Sequence, residues 1–335
     1  MKLLARRALT IVLRLGVLGL AIWFLVRGIA WSEIARTMRG ARFSLLGATI
    51  GVNAVMMAVK AARLRLLLRK RASLGTCYLA NLASSAINNV TPFRGGDFAR
   101  IWMLERHAGV TKSAAAVVAL AERIFEMLAL AALGVVAARL VPGQRWAVVA
   151  SPFVLVGAAV VVILMRRTGG RSPGLVTETD PALQVSRLRE RLAGLWARLR
   201  AGTSVLREPG VTPAAIALSF VGWLLESVMV MLTARAVGLP AGPALAVVVL
   251  LGINAAMILP SMPAGAGIFE AGATLVLVLA GVGKGEALAF ALLYHAVQVV
   301  PVTLAGAVVV FQVGLTLSGL AVPDVGPAEI APFAL

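Results

Sequence analysis

Residues 74–97 read LGTCYLANLASSAINNVTPFRGGD, an apolar run from Leu74 to Val90 that stops at a break of Pro92, Arg94, Gly95, Gly96 and Asp97. Proline removes a backbone donor and glycine weakens a helix. Backbone freed at membrane depth persists only where protein or a wet cavity satisfies it. The same pattern returns downstream. An apolar stretch from Ala244 to Leu259 breaks at Pro260, Ser261, Met262, Pro263, Ala264, Gly265, Ala266 and Gly267. Both stretches read as broken helices or re-entrant hairpins inside a bilayer.

The rest of the chain supports a membrane setting. Hydrophobic residues make up 60% of the 335 residues and charged residues 14%, with mean hydropathy +0.93. A soluble domain of this length has too little interior for that apolar surface. Apolar runs near the roughly 20 residues of a spanning helix predict helices at about 8–26, 43–60, 114–138, 147–165, 213–237 and 287–312. Strands of a membrane barrel would be shorter and would alternate. The N-terminal run, behind Lys2, Arg6 and Arg7, carries Arg14 and no clear small-x-small site, so it reads as a retained helix rather than a signal peptide. The expected fold class is an all-α polytopic integral membrane protein with about six full spans and two broken hairpins.

The net charge is +18. Because the basic residues lie between apolar runs, they read as orientation signals and contacts to anionic inner-leaflet headgroups, not as a nucleic-acid surface. Segments 60–71 (Lys60, Arg63, Arg65, Arg69, Lys70, Arg71) and 166–211 are arginine- and lysine-rich and are expected in the cytoplasm, with both termini. The 27–42 connection runs against this scheme, since it should lie outside yet holds Arg27, Arg36, Arg39 and Arg42. Within 166–211, leucines at near-helical spacing among arginines over 183–206 fit an amphipathic helix on the inner leaflet or a solvated linker helix. Residues 316–335 form a short tail. The lone Cys77 excludes an internal disulfide, and two distant histidines, His107 and His295, argue against a metal centre. No cofactor is expected. There is no nucleotide-binding loop and no nucleophile constellation, so no enzymatic reaction is expected.

An internal repeat organises the chain. Ala108-Gly109-Val110-Thr111-Lys112 returns as Ala280-Gly281-Val282-Gly283-Lys284, 172 residues later. In that register Ala115 falls on Ala287, Leu120 on Leu292, Gly134 on Gly306 and Arg123 on His295. Residues 1–315 thus form one domain of two halves, about 8–140 and 147–312. Three full spans in the first half require the second to insert upside down, an arrangement that places a substrate site near the midplane where the halves meet.

Charge in a spanning segment is costly and suggests function. Glu122, Arg123 and Glu126 lie in the 114–138 helix, with the two glutamates on one face and Arg123 turned about 100° away, toward another element. Arg94, Asp97 and Arg100 lie at the first break, Glu270 and His295 in the second half, and Glu226 deep in the 213–237 helix. One reading is that these groups pair and lock the hairpins against the bundle. Another is a polar cavity for a charged headgroup, since arginine forks suit phosphate oxygens and helix N-termini at the breaks favour anions. Both can hold together. Asn88, Asn89 and Asn254 read as groups that satisfy backbone.

Four motifs carry a family resemblance over roughly residues 10–312. Pro92 to Arg100 resembles the Pro-x-Arg-x-Gly-Glu-x-x-Arg motif of the flippase-like transmembrane domain of lysylphosphatidylglycerol synthases. Glu122-Arg123-Ile124-Phe125-Glu126 is similar to its Glu-Arg-x-x-Asp. Pro263 to Glu270 is similar to its Pro-Gly-Gly-x-Gly-x-x-Glu, and Tyr294-His295 stands where Tyr-Arg is frequent. Asp97, Ala264, Ala266 and His295 depart from the pattern, which bears on substrate more than fold. The resemblance implies translocation or handling of a polar lipid, such as a phospholipid or an isoprenoid- or hopanoid-type lipid, in the cytoplasmic membrane, without the synthase reaction. It implies a substrate site built from Arg94, Asp97, Arg100, Glu122, Arg123, Glu126, Glu270 and His295. The partners expected are membrane lipids, with a second copy of the chain or lipid-synthesis enzymes beside them. Two other functions fit the same residues: a proton-coupled transporter of a small anion, working through Glu122, Glu126 or Glu270, and a membrane scaffold for lipid or polysaccharide synthesis.

Overall fold

A computed structural model describes residues 31–91, 95–140, 210–259 and 263–313. The expected spans 8–26 and 147–165, the insert 166–211 up to residue 209, the tail, and the break residues Pro92, Arg94 and Pro260 lie outside the described residues.

Every regular element among the described residues is helical: α1 (Trp31–Arg39), α2 (Phe43–Leu67), α3 (Leu74–Val90), α4 (Gly96–Ala108), α5 (Lys112–Leu140), α6 (Val211–Ala236), α7 (Pro243–Ala256), a 3-10 turn (Pro263–Gly265), α8 (Ile268–Leu279) and α9 (Lys284–Val313). Helices α2, α6 and α9 are long and apolar enough to cross a membrane. Helix α5 has 29 residues but carries Glu122, Arg123 and Glu126 at its centre. The 12–14 residues of α4, α7 and α8 reach only about 18–21 Å, short of a hydrocarbon core of about 30 Å. The outer surface is apolar: Phe311 is 88% exposed, Ile258 80% and Phe43 74%, a surface suited to lipid rather than water.

Helix α1 occupies the connection whose arginines ran against the orientation scheme. Its Ile34 packs on Leu288 and Ala289 of α9, while Arg36 and Arg39 are exposed. The Ser73 hydroxyl accepts the Thr76 N–H at 3.0 Å and so starts α3, as an N-cap does. The repeated Ala-Gly-Val turns stop α4 and α8 alike. Gly109 has φ 61° and Gly281 φ 88°, left-handed values that favour glycine. In each turn the following valine N–H returns to a leucine carbonyl, Val110 to Leu104 and Val282 to Leu277.

Helices of residues 31–140 pack against helices of residues 210–313. Helix α2 lies against α6, α3 against α9, and α7 against α5, while α3 with α4 and α7 with α8 form the two broken hairpins. Side-chain hydrogen bonds follow the same pattern. Trp223 of α6 donates to the Glu126 carbonyl at 2.8 Å, and Asn53 of α2 donates to the Gln298 carbonyl at 3.0 Å. The repeat register superposes Glu126 on Gln298. Likewise Thr49 donates to the Leu45 carbonyl and Ser219 to the Ala215 carbonyl, each at 2.9 Å.

Asn53 has a second task. Pro301 lies within α9 and cannot donate to the Val297 carbonyl. The Asn53 amide lies 3.4 Å from that oxygen as well as 3.0 Å from the next one. Asn53 is 1% exposed, so no solvent replaces it. Asn53→Ala is expected to lower stability by about 1–3 kcal/mol, read by thermal unfolding in detergent, and Asn53→Gln to recover only part of the loss.

Candidate functional site

Seven charged residues of the first half, Lys60, Arg63, Asp97, Arg100, Glu122, Arg123 and Glu126, line one cavity of about 100 Å³. Among the described residues, four cations and three carboxylates line it, an excess of one positive charge. Asn81, Ser84, Ser85 and Asn88 of α3 supply further polar wall. A volume of this size admits several waters or one small polar group.

Arg63 holds the cavity together. Helix α2 continues to Leu67 instead of ending near residue 60, and its last two turns bury Ala61, Arg63, Leu64 and Leu67. Arg63 is therefore not a loop residue of a cytoplasmic basic segment, as the charge pattern of 60–71 implied. It is 4% exposed. Its Nε donates to Glu122 Oε1 at 3.4 Å, Nη1 to Ser219 Oγ at 2.9 Å and Nη2 to Glu126 Oε1 at 2.6 Å. One guanidinium thus joins α2, α5 and α6, a geometry that its fixed fork of donors permits and a lysine cannot copy.

Arg100 of α4 closes the other side. Its Nη1 lies 2.8 Å from Glu122 Oε2 and 3.3 Å from Asn81 Oδ1. Helix α4 reaches this position because its first residue, Gly96, comes against the Ser84 backbone of α3 and donates its N–H to Asn88 Oδ1 at 2.9 Å. Asn88 and Asn254, which donates to the Leu250 carbonyl at 2.8 Å, satisfy backbone as expected. Asn89 differs: its amide donates to the Thr303 hydroxyl of α9 at 2.8 Å.

Arg123 corrects the helical-wheel expectation. It pairs within its own helix, Nη1 to Glu126 Oε2 at 3.2 Å, and its side chain is 56% exposed. Lys60 and Asp97 line the cavity without an ion pair within 4 Å among the described residues.

Glu270 and His295 are brought together, but they form a second cluster apart from the cavity. Glu270 Oε1 lies 2.6 Å from His295 Nδ1, and His295 Nε2 lies 3.1 Å from the Ala264 carbonyl. Glu270 Oε2 accepts the Gly267 N–H at 2.8 Å, capping α8. Phe269 stacks on the imidazole at 4.3 Å. Gly265 and Gly267 have φ of 80° and 82°, and Ala264 between Pro263 and Gly265 has φ 58°. Left-handed backbone costs a residue with a Cβ about 1–2 kcal/mol. Ala264→Gly is accordingly expected to stabilise the protein by about 1 kcal/mol, seen as a higher unfolding temperature in detergent. Glu226 accepts a hydrogen bond from Gln298 at 2.6 Å, so α6 meets α9 through a carboxylate and an amide.

Arg63 was missed as a site residue, and so were Asn81 and Ser219. A signal for Arg63 was present: Ala61, Leu64 and Leu67 continue the apolar face of α2 past Lys60 at helical spacing. Among the described residues no group of histidine, cysteine and carboxylate side chains could hold a metal ion.

No curated protein matches this sequence. The model of the lysylphosphatidylglycerol synthase TM region matches residues 11–306, nearly the whole chain and every motif described above. With its apolar helices and buried charges, the chain belongs to the lysylphosphatidylglycerol synthase TM region family, whose name ties it to integral membrane proteins with a lipid-related role.

Proposed function

We propose that this protein translocates a polar membrane lipid, taking its headgroup into the cavity between α2, α3, α4 and α5 without covalent chemistry. The observation that carries the reading is the cavity's excess cation. Arg63 and Arg100 are committed to Glu122 and Glu126, whereas Lys60 has no ion pair within 4 Å among the described residues and Arg123 is half exposed. An anionic phosphate would meet these two cations without breaking the pairs that hold the helices. The short helices of the two hairpins support the same reading, since broken helices in duplicated, inverted halves create a polar path where lipid tails can stay in the bilayer. The proposal places the chain in the cytoplasmic membrane with basic segments inside.

The test is reconstitution into vesicles with fluorescent phosphatidylglycerol and dithionite quenching of the outer leaflet. Wild-type protein is expected to expose label well above empty vesicles. Glu122→Gln, which loosens both Arg63 and Arg100, is expected to lower the rate about tenfold or more, from one charged hydrogen-bond network lost. Equal quenching in wild type, Glu122→Gln and empty vesicles would exclude translocation of this lipid class.

A further inference from the structure

The hydrogen bonds of Glu270 and His295 do not close without an added proton. The Ala264 carbonyl can only accept, so His295 Nε2 donates to it across 3.1 Å. A neutral imidazole would then present a lone pair at Nδ1, 2.6 Å from a carboxylate oxygen. Two lone pairs do not make a contact of that length. One proton on the line between Nδ1 and Oε1 resolves it, as imidazolium with carboxylate or as imidazole with carboxylic acid. The other carboxylate oxygen is already occupied by the Gly267 N–H. Burial fixes the arrangement, with Glu270 at 7% and His295 at 8% exposure.

We propose that Glu270 and His295 form a proton-binding site that latches the second break, and that its proton exchanges with solution as the protein works. The proposal concerns the proton and holds whichever molecule the cavity carries. The first half shows what is unusual. There α4 is tied to α5 by Arg100 and Glu122, and arginine is charged at all working pH. The second half ties α8 to α9 by a proton held between imidazole and carboxylate, a bond that a change of pH can remove. When the proton leaves for water, the pair passes from neutral to one negative charge. The imidazole then has a single N–H for two acceptors, so either Glu270 or Ala264 loses its bond. Ala264 already holds a left-handed backbone, so the released turn relaxes away from α9.

The surroundings leave this pair as the responsive group. Helix α7 has no titratable side chain. Helix α3 offers only Cys77 and Tyr78. Helix α2 directs Lys60 and Arg63 to the cavity, with Arg65 beyond them, and α6 contributes Glu226, bound to Gln298, and Arg235 in its last turn. Helix α1 adds Glu33 and the exposed Arg36 and Arg39. On α9 itself, Lys284 and Glu286 lie about 3 and about 2.5 turns from His295, and the buried Tyr294 hydroxyl makes no hydrogen bond among the described residues.

The chain has two histidines, so the proton can be observed directly. Full-length protein with nitrogen-15 histidine is placed in lipid nanodiscs and scanned from about pH 5 to 9, with His295→Gln identifying the signals. The His295 ring is expected to lose one proton in a single step. Amide exchange of residues 264–282, corrected for intrinsic rates, is expected to rise about tenfold across the same step. His295→Arg should keep the low-pH protection at every pH. Should that variant fail to fold, Glu270→Gln serves instead: its amide donates to Nδ1, and the exchange step should vanish. A His295 ring with no titration, or an exchange profile that Glu270→Gln leaves unchanged, overturns the site. A pH gradient added to the fluorescent-lipid assay separates the two proposals. Titration without lipid movement keeps the proton site and removes the lipid reading, and lipid movement without titration does the reverse.

Discussion

Replacing Arg63 with methionine is expected to cost about 3 kcal/mol or more of stability. The methionine fills much of the same volume, so the loss is electrostatic. Glu122 and Glu126 would keep Arg100 and Arg123 but would face each other, four residues apart on one helix, without the guanidinium between them. Removing one partner from a buried network commonly costs about 3–5 kcal/mol, and the two remaining arginines place this case toward the lower end. Arg63→Lys should recover only part, since an ammonium cannot reach Ser219, Glu122 and Glu126 along one plane. Adding Glu126→Gln to Arg63→Met should cost much less than it does alone, because the repulsion between Glu122 and Glu126 is then gone. Thermal unfolding in detergent reads all four proteins. An orientation signal in a cytoplasmic loop would behave otherwise: its loss would leave stability untouched.

Gly96→Ala is the second large effect. A methyl group there would fall onto the Ser84 carbonyl and the Asn88 side chain. The obstacle is backbone, so the hairpin of α3 and α4 must open. Opening breaks the Gly96 bond to Asn88 and carries Arg100 away from Glu122. Overpacking commonly costs about 1–3 kcal/mol, and the lost hydrogen bonds add about 1–3 kcal/mol more. The expected outcome is a protein that inserts but unfolds at much lower temperature and moves no lipid. Gly95→Ala is the control, since its added methyl meets side-chain atoms no closer than 3.5 Å. Similar unfolding temperatures for the two variants would mean that the hairpin does not depend on this approach.

The sequence foretold the elements that depend on local chemistry. Proline and glycine mark both breaks, long apolar runs mark α2, α6 and α9, and the repeated Ala-Gly-Val turn marks where α4 and α8 stop. Tertiary partners were less legible. Arg63 reads as loop charge because positive residues at the end of an apolar run serve orientation as well as structure, and only the packing of α6 shows which. Arg123 is turned about 100° from Glu122, but three residues' separation makes it a neighbour of Glu126 on the same helix. His295 reads as a weakened arginine in the repeat register, but its ring meets Glu270 rather than the charged cavity, because α8 approaches α9 at that level. Gln298 carried no signal at all until the register was combined with Trp223 and Asn53.

The correspondence of Thr49 with Ser219, two residues shorter than the register of the Ala-Gly-Val turns, carries Arg63 onto Thr233, a residue fully buried whose hydroxyl has no hydrogen bond among the described residues. Gln298 stands where the first half has Glu126. Two copies of one ancestral unit would therefore have kept their helices and parted in their side chains, one gathering its charges around a cavity and the other pairing Glu270 with His295 outside it. A symmetric ancestor would have offered two equal chambers. Under such a duplication, Arg63 and Thr233 would mark the position at which the two chambers parted.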